Sequence, residues 1–593
     1  MYHAGAAPAQ STVRRNSPPA GSVVLGMNTA AQPADLPAPF AGRRLRVLFL
    51  VSAHNSLSQR VEIALTELGH RVTVAVVASG AEMEHAVERH RPELIVCPML
   101  KAIIPESIFT RHRCLVVHPG PVGDRGPSSL DWAIELGAEE WGVTVLEAAA
   151  EVDAGDIWAT RTFPTRDASK SSLYRHEVRR AAVDAVVEAV TAVADGKVAS
   201  RPLDYRDPGV TGRLRPLIRQ PDRVIDWESD TTATVLRRIQ AAEGHPGVLD
   251  SFDGAPFHLF GAHRETELRG RPGELIAQRH GAVCRATADG AVWITHLKSP
   301  ASFKLPATRA LALAGQPVDV PERGAFSEIA YVERDGVGYL SFDFYNGAMS
   351  TEQCRRLLDA YRYAAGRRQT RVVVLMGGRD FFSNGIHLNV IEAADDPDAE
   401  SWWNLLAIDE VVREIVETDS HLVISALAGD AAAGGVPFAL AADYVVARED
   451  VVLNPYYRHM GGLYGSEYWT YLLPRRIGLE QAYRLTSPPF KAIGTRRATE
   501  LGLIDEAFGA TVESFRAEAR GLAERLARDP ELPGMLEDKR RSRHRDEQRK
   551  PLAAYRTEEL VRSHACFFAA DRSYHDARHR FVHKLGAPCA VAR

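Results

Sequence analysis

The feature that most constrains the fold is a series of short apolar runs that alternate with helical segments. Residues 45–52 read LRVLFLVS, which has the length and composition of a buried strand. A helical segment that ends at Gly69 follows, and then two further apolar runs in 71–97 with a helix between them. This alternation is typical of a doubly wound parallel sheet, in which ligands bind beside the carboxyl ends of the strands. The sequence therefore predicts an α/β domain at the start of the folded chain.

Two titratable residues follow later strands of this predicted sheet. His118 comes directly after the apolar run Leu115–Val117, and Asp153 lies in the turn VDAGD after the run Gly142–Leu146. Both lie near glycines that allow a ligand to approach, so they form a plausible acid–base pair. Asn55 and Gln59 follow the first strand and are placed for ligand contact, although a helix cap and a polar first turn explain this stretch equally well. No G-x-G-x-x-G follows that strand, which argues against a dinucleotide site.

The stretch 115–158 resembles the catalytic loop of folate-dependent formyltransferases. The counterparts stand in the family's order: His118-Pro119, Arg125-Gly126, Trp132-Ala133-Ile134, Gly142-Val143-Thr144 and Asp153-Ala154-Gly155-Asp156-Ile157. The resemblance implies catalysis by His118 and Asp153, with 10-formyltetrahydrofolate as the formyl donor. Substrate or cofactor contacts are expected from Asn55, Gln59, Arg125, Ser128, Ser129 and Arg175, although Arg175, on the first turns of the predicted helix Ser171–Asp195, is explained equally well as a solvent-facing residue. The family's Asn falls at Val116, which leaves the partner of the formyl oxygen open, with Arg125, Ser128 and Ser129 as candidates.

A second domain is predicted after a Pro/Gly/Arg-rich linker at 201–221. Beyond the linker lie the runs VIDW (224–227) and RRIQAAEGHPG (237–247). Several short strands with polar turns follow up to about residue 300 and suggest a small, OB-like β-barrel. These signposts resemble the second domain of methionyl-tRNA formyltransferases. The predicted boundaries are a disordered leader at 1–43, a formyltransferase catalytic domain at 44–205, its barrel-like domain at 206–310 and a third domain at 325–593.

The third domain resembles the crotonase (enoyl-CoA hydratase/isomerase) superfamily. A hairpin across Arg334-Asp335-Gly336 precedes two glycine-rich loops, GGRDFFSNGIHLN and AGDAAAGGVPF. Each loop alone is explained by a tight turn, but the two together, at the superfamily's spacing, favour an oxyanion hole for a coenzyme A thioester. The resemblance implies that the backbone N–H groups of Ile386 and Gly434 donate to the thioester oxygen, beside Gly385 and Gly435.

The two hydratase carboxylates of that superfamily are absent. Their positions fall at Pro437 and near Tyr456, and hydration of a double bond needs a paired acid and base. The sequence therefore predicts another acyl-CoA reaction, with Tyr456, Tyr457 and Glu467 as candidate catalytic residues. The tyrosines are explained equally well as core residues with satisfied hydroxyls. The basic run Lys539–Lys550 is either a solvated helix face or a contact for coenzyme A phosphates.

The fusion of these parts resembles the HypX (HoxX) family of hydrogenase maturation factors over about 45–585. That resemblance implies formyl transfer from 10-formyltetrahydrofolate to coenzyme A, followed by loss of carbon monoxide from formyl-CoA, with Glu467 or a tyrosinate as the base. The [NiFe]-hydrogenase large-subunit precursor, or its maturation proteins, is the implied partner. Two alternatives stay open: hydrolysis of formyl-CoA to formate, and a non-catalytic third domain that docks the hydrogenase precursor. The oligomeric state and the route of formyl-CoA between the sites are open too.

Composition excludes other classes of function. A net charge of −4 over 593 residues provides no basic field for nucleic acid. The six cysteines lack metal-type pairs, so we predict no metal site and a reducing, cytoplasmic location. No apolar run of about 18 residues occurs, which predicts no membrane span. Residues 1–42 are rich in Ala, Pro, Ser and Gly and read as a disordered leader in which Met27 is an alternative start.

Overall fold

The computed structural model describes residues 42–197, 199–488 and 491–585. The predicted leader therefore lies almost wholly outside the described residues. Within them, three modules follow one another along the chain. None of the described helices combines the length and the apolar character needed to cross a bilayer.

The first module is a six-stranded sheet with helices on both faces. Its sheet order is β2-β1-β3-β4-β5-β6, with the pairs among β1 to β4 parallel and the pairs β4–β5 and β5–β6 antiparallel. The predicted alternation is thus present, and the last two strands make the sheet mixed. The elements are β1 (Arg46–Val51), α1 (Ser56–Glu67), β2 (Arg71–Val76), α2 (Gly80–His90), β3 (Leu94–Cys97), α3 (Glu106–Phe109), β4 (Cys114–His118), α4 (Ser129–Glu135), β5 (Glu140–Glu147), β6 (Ile157–Pro164), α5 (Lys170–Leu173) and α6 (Arg179–Ala194).

The middle module is an antiparallel sheet on which two helices pack, α7 and the short α8. The sheet order is β7-β8-β11-β10-β9, with β12 paired to β11. Trp227, Val235, Ile239, Phe257 and Ile294 are among the core residues where α7 packs on this sheet. Its short strands agree with the predicted class, and closure into an OB-like barrel stays a prediction. The elements are α7 (Thr232–Ala242), β7 (Val248–Phe252), β8 (Ala255–Glu265), β9 (Leu275–Arg279), β10 (Ala282–Ala286), β11 (Ala291–Lys298), β12 (Leu305–Pro306) and α8 (Ala307–Leu313).

The third module begins with the predicted hairpin, which is confirmed as an antiparallel pair across Arg334-Asp335-Gly336. Its main sheet has the order β13-β14-β15-β17-β19-β22, and a smaller sheet has the order β16-β18-β20-β21. The elements are β13 (Ile329–Arg334), β14 (Val337–Phe342), α9 (Thr351–Ala365), β15 (Val372–Met376), β16 (Phe381–Ser383), α10 (Leu388–Glu392), α11 (Pro397–Glu417), β17 (Leu422–Leu427), β18 (Asp430–Ala432), α12 (Gly435–Leu440), β19 (Tyr444–Ala447), β20 (Val452–Asn454), α13 (Trp469–Leu485), β21 (Ile493–Gly494), α14 (Thr495–Glu500), β22 (Glu506–Ala507), α15 (Val512–Arg528), α16 (Leu532–Arg549), α17 (Leu552–Phe568) and α18 (Ser573–His583).

Candidate functional sites

His118 ends β4 and is held between two carboxylates. Its Nε2 is hydrogen-bonded to Asp124 Oδ2 at 2.9 Å, and its Nδ1 lies 3.5 Å from Asp153 Oδ2. Asp153 has a left-handed backbone (φ 54°) and accepts a hydrogen bond from the N–H of Gly126. Its side chain is 13% exposed, whereas that of Asp124 is fully buried. Asp153 therefore faces the open side of the site and Asp124 its interior.

Sequence reasoning missed Asp124 and its second partner. Arg215 lies in the segment predicted to be a linker, and its Nε donates to Asp124 Oδ1 at 3.1 Å. The carboxylate of Asp124 is thus bound on one oxygen by imidazole and on the other by guanidinium. A Cβ added to Gly120 would overlap both His118 Nε2 and Asp124 Oδ2, so only glycine permits this approach. The only sequence signal for Asp124 was its place in the loop GPVGDRGP.

The three candidate partners of the formyl oxygen are engaged with protein groups. Arg125 donates from Nε to the carbonyl of Val152 and ion-pairs with Glu151, which ties its loop to the turn that carries Asp153. Ser128 Oγ accepts from the N–H of Ile218. Ser129 Oγ donates to the carbonyl of Pro119. Their contact with a ligand stays a prediction.

The remaining predicted contacts of the first module lie at helix ends. Asn55 caps α1 by accepting from the N–H of Ser58, and its side-chain amide donates to Tyr174 Oη at 3.1 Å. Gln59 Nε2 donates to the carbonyl of His54. Asn55 is therefore the N-cap of α1, in line with the alternative that this stretch caps a helix. Ligand contact by Asn55 or Gln59 stays a prediction.

Arg175 connects the first module to the third. It lies in a π-helical turn, Tyr174–Val178, and its Nη1 is 2.8 Å from Asp380 Oδ2. His176 and Ser172 bind the other oxygen of the same carboxylate, at 3.1 and 2.8 Å. Burial raises the pKa of Asp380, but the hydrogen bond from His176 and the charge of Arg175 outweigh it and hold that pKa well below its usual range. Asp380 lies within the first glycine-rich loop, directly before β16, so this contact positions the loop.

The two glycine-rich loops of the third module meet. A Cβ built on Gly385 would lie 3.2 Å from the backbone nitrogen of Gly434. Among the hydrogen bonds of the described residues, none uses the backbone N–H of Ile386 or of Gly434. Gly435 is buried at the first position of α12, next to the predicted donor. The two loops therefore meet at Gly385 and Gly434, and a shared oxyanion hole formed by the N–H groups of Ile386 and Gly434 stays a prediction.

Glu467 lies against this pair of loops. A Cβ added to Gly434 would overlap the Glu467 carboxyl group, so these two residues are in direct contact. Oε2 accepts hydrogen bonds from Tyr457 Oη at 3.0 Å and from the N–H of Ser466 at 3.1 Å. Among the described residues, no hydrogen bond engages Oε1, the oxygen nearest Gly434. Glu467 and Tyr468 both have left-handed backbones (φ 60° and 55°), a strained conformation of the kind found at functional sites.

Two further buried carboxyl groups lie behind Glu467 and were not predicted. Asp409 on α11 accepts from the Glu467 N–H at 2.7 Å and from Ser466 Oγ at 2.9 Å. Glu559 on α17 accepts from the backbone and the hydroxyl of Thr470. Burial, reinforced by the charge of Asp409, raises the pKa of Glu467 to about 8. In the sequence, the only signal for Asp409 and Glu559 was a carboxylate on an otherwise apolar helix face, as in NLLAIDEVV, which contains Asp409.

The tyrosines are placed differently. Tyr457 is buried, and burial and then the charges of Glu467 and Glu559 raise its pKa well above the ordinary value of 10. Tyr456 is half-buried, and its ring lies 5.5 Å from that of His459. Pro437, at the position of the first hydratase carboxylate, is buried within α12. Because this residue is proline, the position carries no carboxylate. Of the two tyrosines, Tyr457 is the one in contact with Glu467.

Three family models match the chain in succession. Residues 75–190 match "Formyl transferase", residues 217–313 match "Formyl transferase, C-terminal domain", and residues 334–588 match "Enoyl-CoA hydratase/isomerase". These matches confirm a formyltransferase fold in the first module and a crotonase-type fold in the third.

Full-length relatives show the same order of modules. The hydrogenase maturation factor HoxX of Bradyrhizobium diazoefficiens is 47% identical over 546 residues, which is 91% of this chain and 95% of the relative. The crystal structure of HypX from Aquifex aeolicus in complex with tetrahydrofolic acid superposes with a TM-score of 0.88 at 42% identity, covering 92% of this chain and 97% of that one. Methionyl-tRNA formyltransferase of Ralstonia pickettii matches only 40% of the chain, at 28% identity.

Proposed function

The chain belongs to the HypX (HoxX) family of hydrogenase maturation factors, and from this premise we propose that it makes carbon monoxide from a folate-bound formyl group. The first module transfers the formyl group of 10-formyltetrahydrofolate to coenzyme A. The third module then cleaves formyl-CoA into carbon monoxide and coenzyme A. The solved complex of the Aquifex relative with tetrahydrofolic acid supports the folate part of this proposal.

In the first step His118 is the proton carrier. It accepts the proton of the coenzyme A thiol as the sulfur attacks the formyl carbon, and it then delivers a proton to the departing folate nitrogen. Asp124 and Asp153 flank the ring and stabilise the imidazolium that forms between these two transfers. Arg125, Ser128 and Ser129 border the same loop, and one of them, or a backbone group, binds the formyl oxygen in place of the family's Asn. Gln59, Asn55 and Arg175 are proposed to contact the folate or the coenzyme.

In the second step Glu467 is the base. The N–H groups of Ile386 and Gly434 polarise the thioester carbonyl of formyl-CoA. Glu467 removes the formyl hydrogen as a proton, the carbon–sulfur bond breaks toward sulfur, and the electrons of the C–H bond complete carbon monoxide. The proton then passes to the thiolate and regenerates coenzyme A. Because the pKa of Glu467 is about 8, a minor fraction of the molecules carry it ionised at neutral pH, and that carboxylate is a stronger base than an ordinary glutamate.

Tyr457 fits a positioning role in this step. Because its pKa is raised well above 10, a tyrosinate is a costly alternative base at neutral pH. Its hydroxyl instead donates to Oε2 of Glu467, which leaves Oε1 directed toward Gly434. Tyr456 lies two residues after β20 and is proposed to contact the substrate.

One observation carries the proposal for the third module: the contact between the Glu467 carboxyl group and Gly434 of the predicted oxyanion hole. Glu467 is only 2% exposed, so its carboxyl group is shielded from bulk water. Exclusion of water favours loss of carbon monoxide over hydrolysis to formate. The product would serve the iron of the [NiFe]-hydrogenase large-subunit precursor, which is the proposed partner.

The test uses the full chain with coenzyme A and 10-formyltetrahydrofolate labelled with ¹³C in the formyl group. We expect labelled carbon monoxide, trapped by reduced haemoglobin, in proportion to tetrahydrofolate formed. Labelled formate in its place would establish hydrolysis instead. Formation of neither product, together with failure to bind coenzyme A, would support a third module that acts only as a docking scaffold.

A further inference from the structure

A second cluster of metal-ligating side chains lies outside both candidate sites. Glu392 ends α10, and His579 and His583 lie on α18, which packs against α10. One ligand atom from each of the three lies within 4.8 Å of the other two. Within the described residues, no other three His, Cys, Asp or Glu side chains bring their ligand atoms this close together.

Local geometry explains why these histidines face one carboxylate. Residues four apart on a helix lie on the same face, so His579 and His583 are neighbours, with ring centroids 4.2 Å apart. His579 Nδ1 lies 2.6 Å from Glu392 Oε1, and His583 Nε2 lies 3.4 Å from the same oxygen. Two imidazole nitrogens four residues apart with a carboxylate from another element form a His₂Glu set, a common zinc-binding combination.

The set is held in place by neighbours that do not themselves bind a metal. Arg578 Nε donates to the other carboxylate oxygen of Glu392, Oε2, at 2.7 Å, which leaves Oε1 facing both rings. Phe303 packs edge-on against the ring of His583, with centroids 5.0 Å apart.

We propose that Glu392, His579 and His583 bind a divalent transition-metal ion, with zinc the best chemical match. Bond lengths of about 2.0–2.2 Å in a tetrahedral site place ligand atoms about 3.3 Å apart. The distance from His583 Nε2 to Glu392 Oε1 is already close to this value. The distance from His579 Nδ1 to the same oxygen would lengthen by less than about 1 Å as the metal replaces the shared proton. Water takes the fourth position, because His579 is half-exposed to solvent.

The proposed ion has a structural consequence. It cross-links α18 to α10, and α10 begins at Leu388, two residues after Ile386 of the predicted oxyanion hole. Binding to the folded chain alone raises the melting temperature in proportion to the logarithm of free metal concentration. The site does not depend on the proposed reaction of the third module, so its test is separate.

The test uses untagged full-length protein that has been dialysed against a chelator and then titrated with zinc or cobalt(II). We expect one equivalent to bind with a Kd on the order of 10 μM or tighter, with the intense visible absorption of four-coordinate cobalt. His579→Gln and His583→Gln each weaken binding about tenfold or more, because glutamine keeps the hydrogen bond but is a poor zinc ligand. The matched control, His544→Gln on α16, leaves binding unchanged.

The control is needed because the chain has 21 histidines and exposed ones bind zinc weakly. Absence of stoichiometric binding to the parent chain would overturn the proposal. Binding that persists unchanged in both His579→Gln and His583→Gln would overturn it as well. Circular dichroism of each variant verifies that the fold is retained, and both substituted side chains are exposed enough for this to be expected.

Discussion

The two candidate sites hold buried carboxylates in opposite ways. In the first module, Asp124 lies between His118 and Arg215, so that each oxygen has a nitrogen donor. In the third, Glu467, Asp409 and Glu559 are all buried, and the nearest cation to this group is Arg556, with Nε 3.5 Å from Asp409 Oδ2. The pKa values of Glu467 and Glu559 are raised to about 8 and that of Asp409 to about 6, chiefly by burial.

This difference matches the two proposed reactions. Formyl transfer needs a proton that moves to and from one imidazole, and flanking carboxylates stabilise its charged form. Release of carbon monoxide needs a base strong enough to remove a formyl hydrogen, which an ordinary, solvated glutamate is not. Charge pairing therefore suits the first site, and a deficit of cations suits the second.

The largest expected effect comes from Glu467→Gln. Glutamine keeps the size and the hydrogen bonds of the side chain but cannot accept the proton, so carbon monoxide release from supplied formyl-CoA falls about 10³-fold. Formyl transfer in the first module is unaffected. The control is Glu480→Gln, an exposed residue on α13. Carbon monoxide release within a few-fold of the parent rate would show that Glu467 is not the base.

The next largest effects distinguish the roles of the two aspartates that flank His118. Because Asp153 faces the open side of the site, Asp153→Asn lowers formyl transfer about 10²-fold without changing the melting temperature. Asp124→Asn leaves Arg215 without a buried anionic partner and costs roughly 3 kcal/mol of stability. Assays of tetrahydrofolate formation and thermal unfolding measure both. The reverse pattern would assign the proton chemistry to Asp124.

A smaller effect follows from Asp409→Asn. Burial and the charge of Asp409 raise the pKa of Glu467, so removal of that charge lowers this pKa even though Glu559 remains nearby. The midpoint of the pH profile for carbon monoxide release moves toward acid by about one pH unit. Asp538→Asn on the exposed face of α16 is the control. An unmoved midpoint would show that Glu467 does not set the profile.

The smallest effect is on stability. The folded chain keeps a proton on Glu467 up to about pH 8, whereas an unfolded chain loses it near the usual value of 4.5. Stability from this group is therefore complete below pH 4.5 and is lost as pH rises through 8, by an amount on the order of a few kcal/mol. The contribution of Asp380 to stability depends on pH in the opposite direction. Because its pKa is lowered, Asp380 stabilises the fold above the usual aspartate pKa of 3.8, and this contribution is lost in acid.

Melting temperatures between about pH 2 and 9 test this last comparison, because the Asp380 contribution changes only below its usual pKa. Glu467→Gln removes part of the alkaline loss, and Asp380→Asn removes part of the acid loss. Equal slopes for Glu467→Gln and the parent chain above pH 6 would contradict the proposed protonation of Glu467.

Much of the architecture follows from local patterns. The strand–helix alternation, the hairpin at Arg334-Asp335-Gly336 and the order of the modules were predicted from sequence and are confirmed. The predicted site residues have a mixed outcome in geometry. His118 and Asp153 lie together, as do Gly385, Gly434 and Glu467, whereas Arg125, Ser128, Ser129 and Asn55 are bound to protein groups. Their roles in catalysis and binding stay predictions.

The sequence by itself determined which chemical groups stand at strand ends and in glycine-rich turns, because these depend on neighbours a few residues away. Only the tertiary structure decided which charges accompany them. Arg215 reaches Asp124 from 91 positions away, and Asp409 lies 58 positions from Glu467. Burial and charge act through space, so the strength of a base such as Glu467 depends on contacts that no local pattern records.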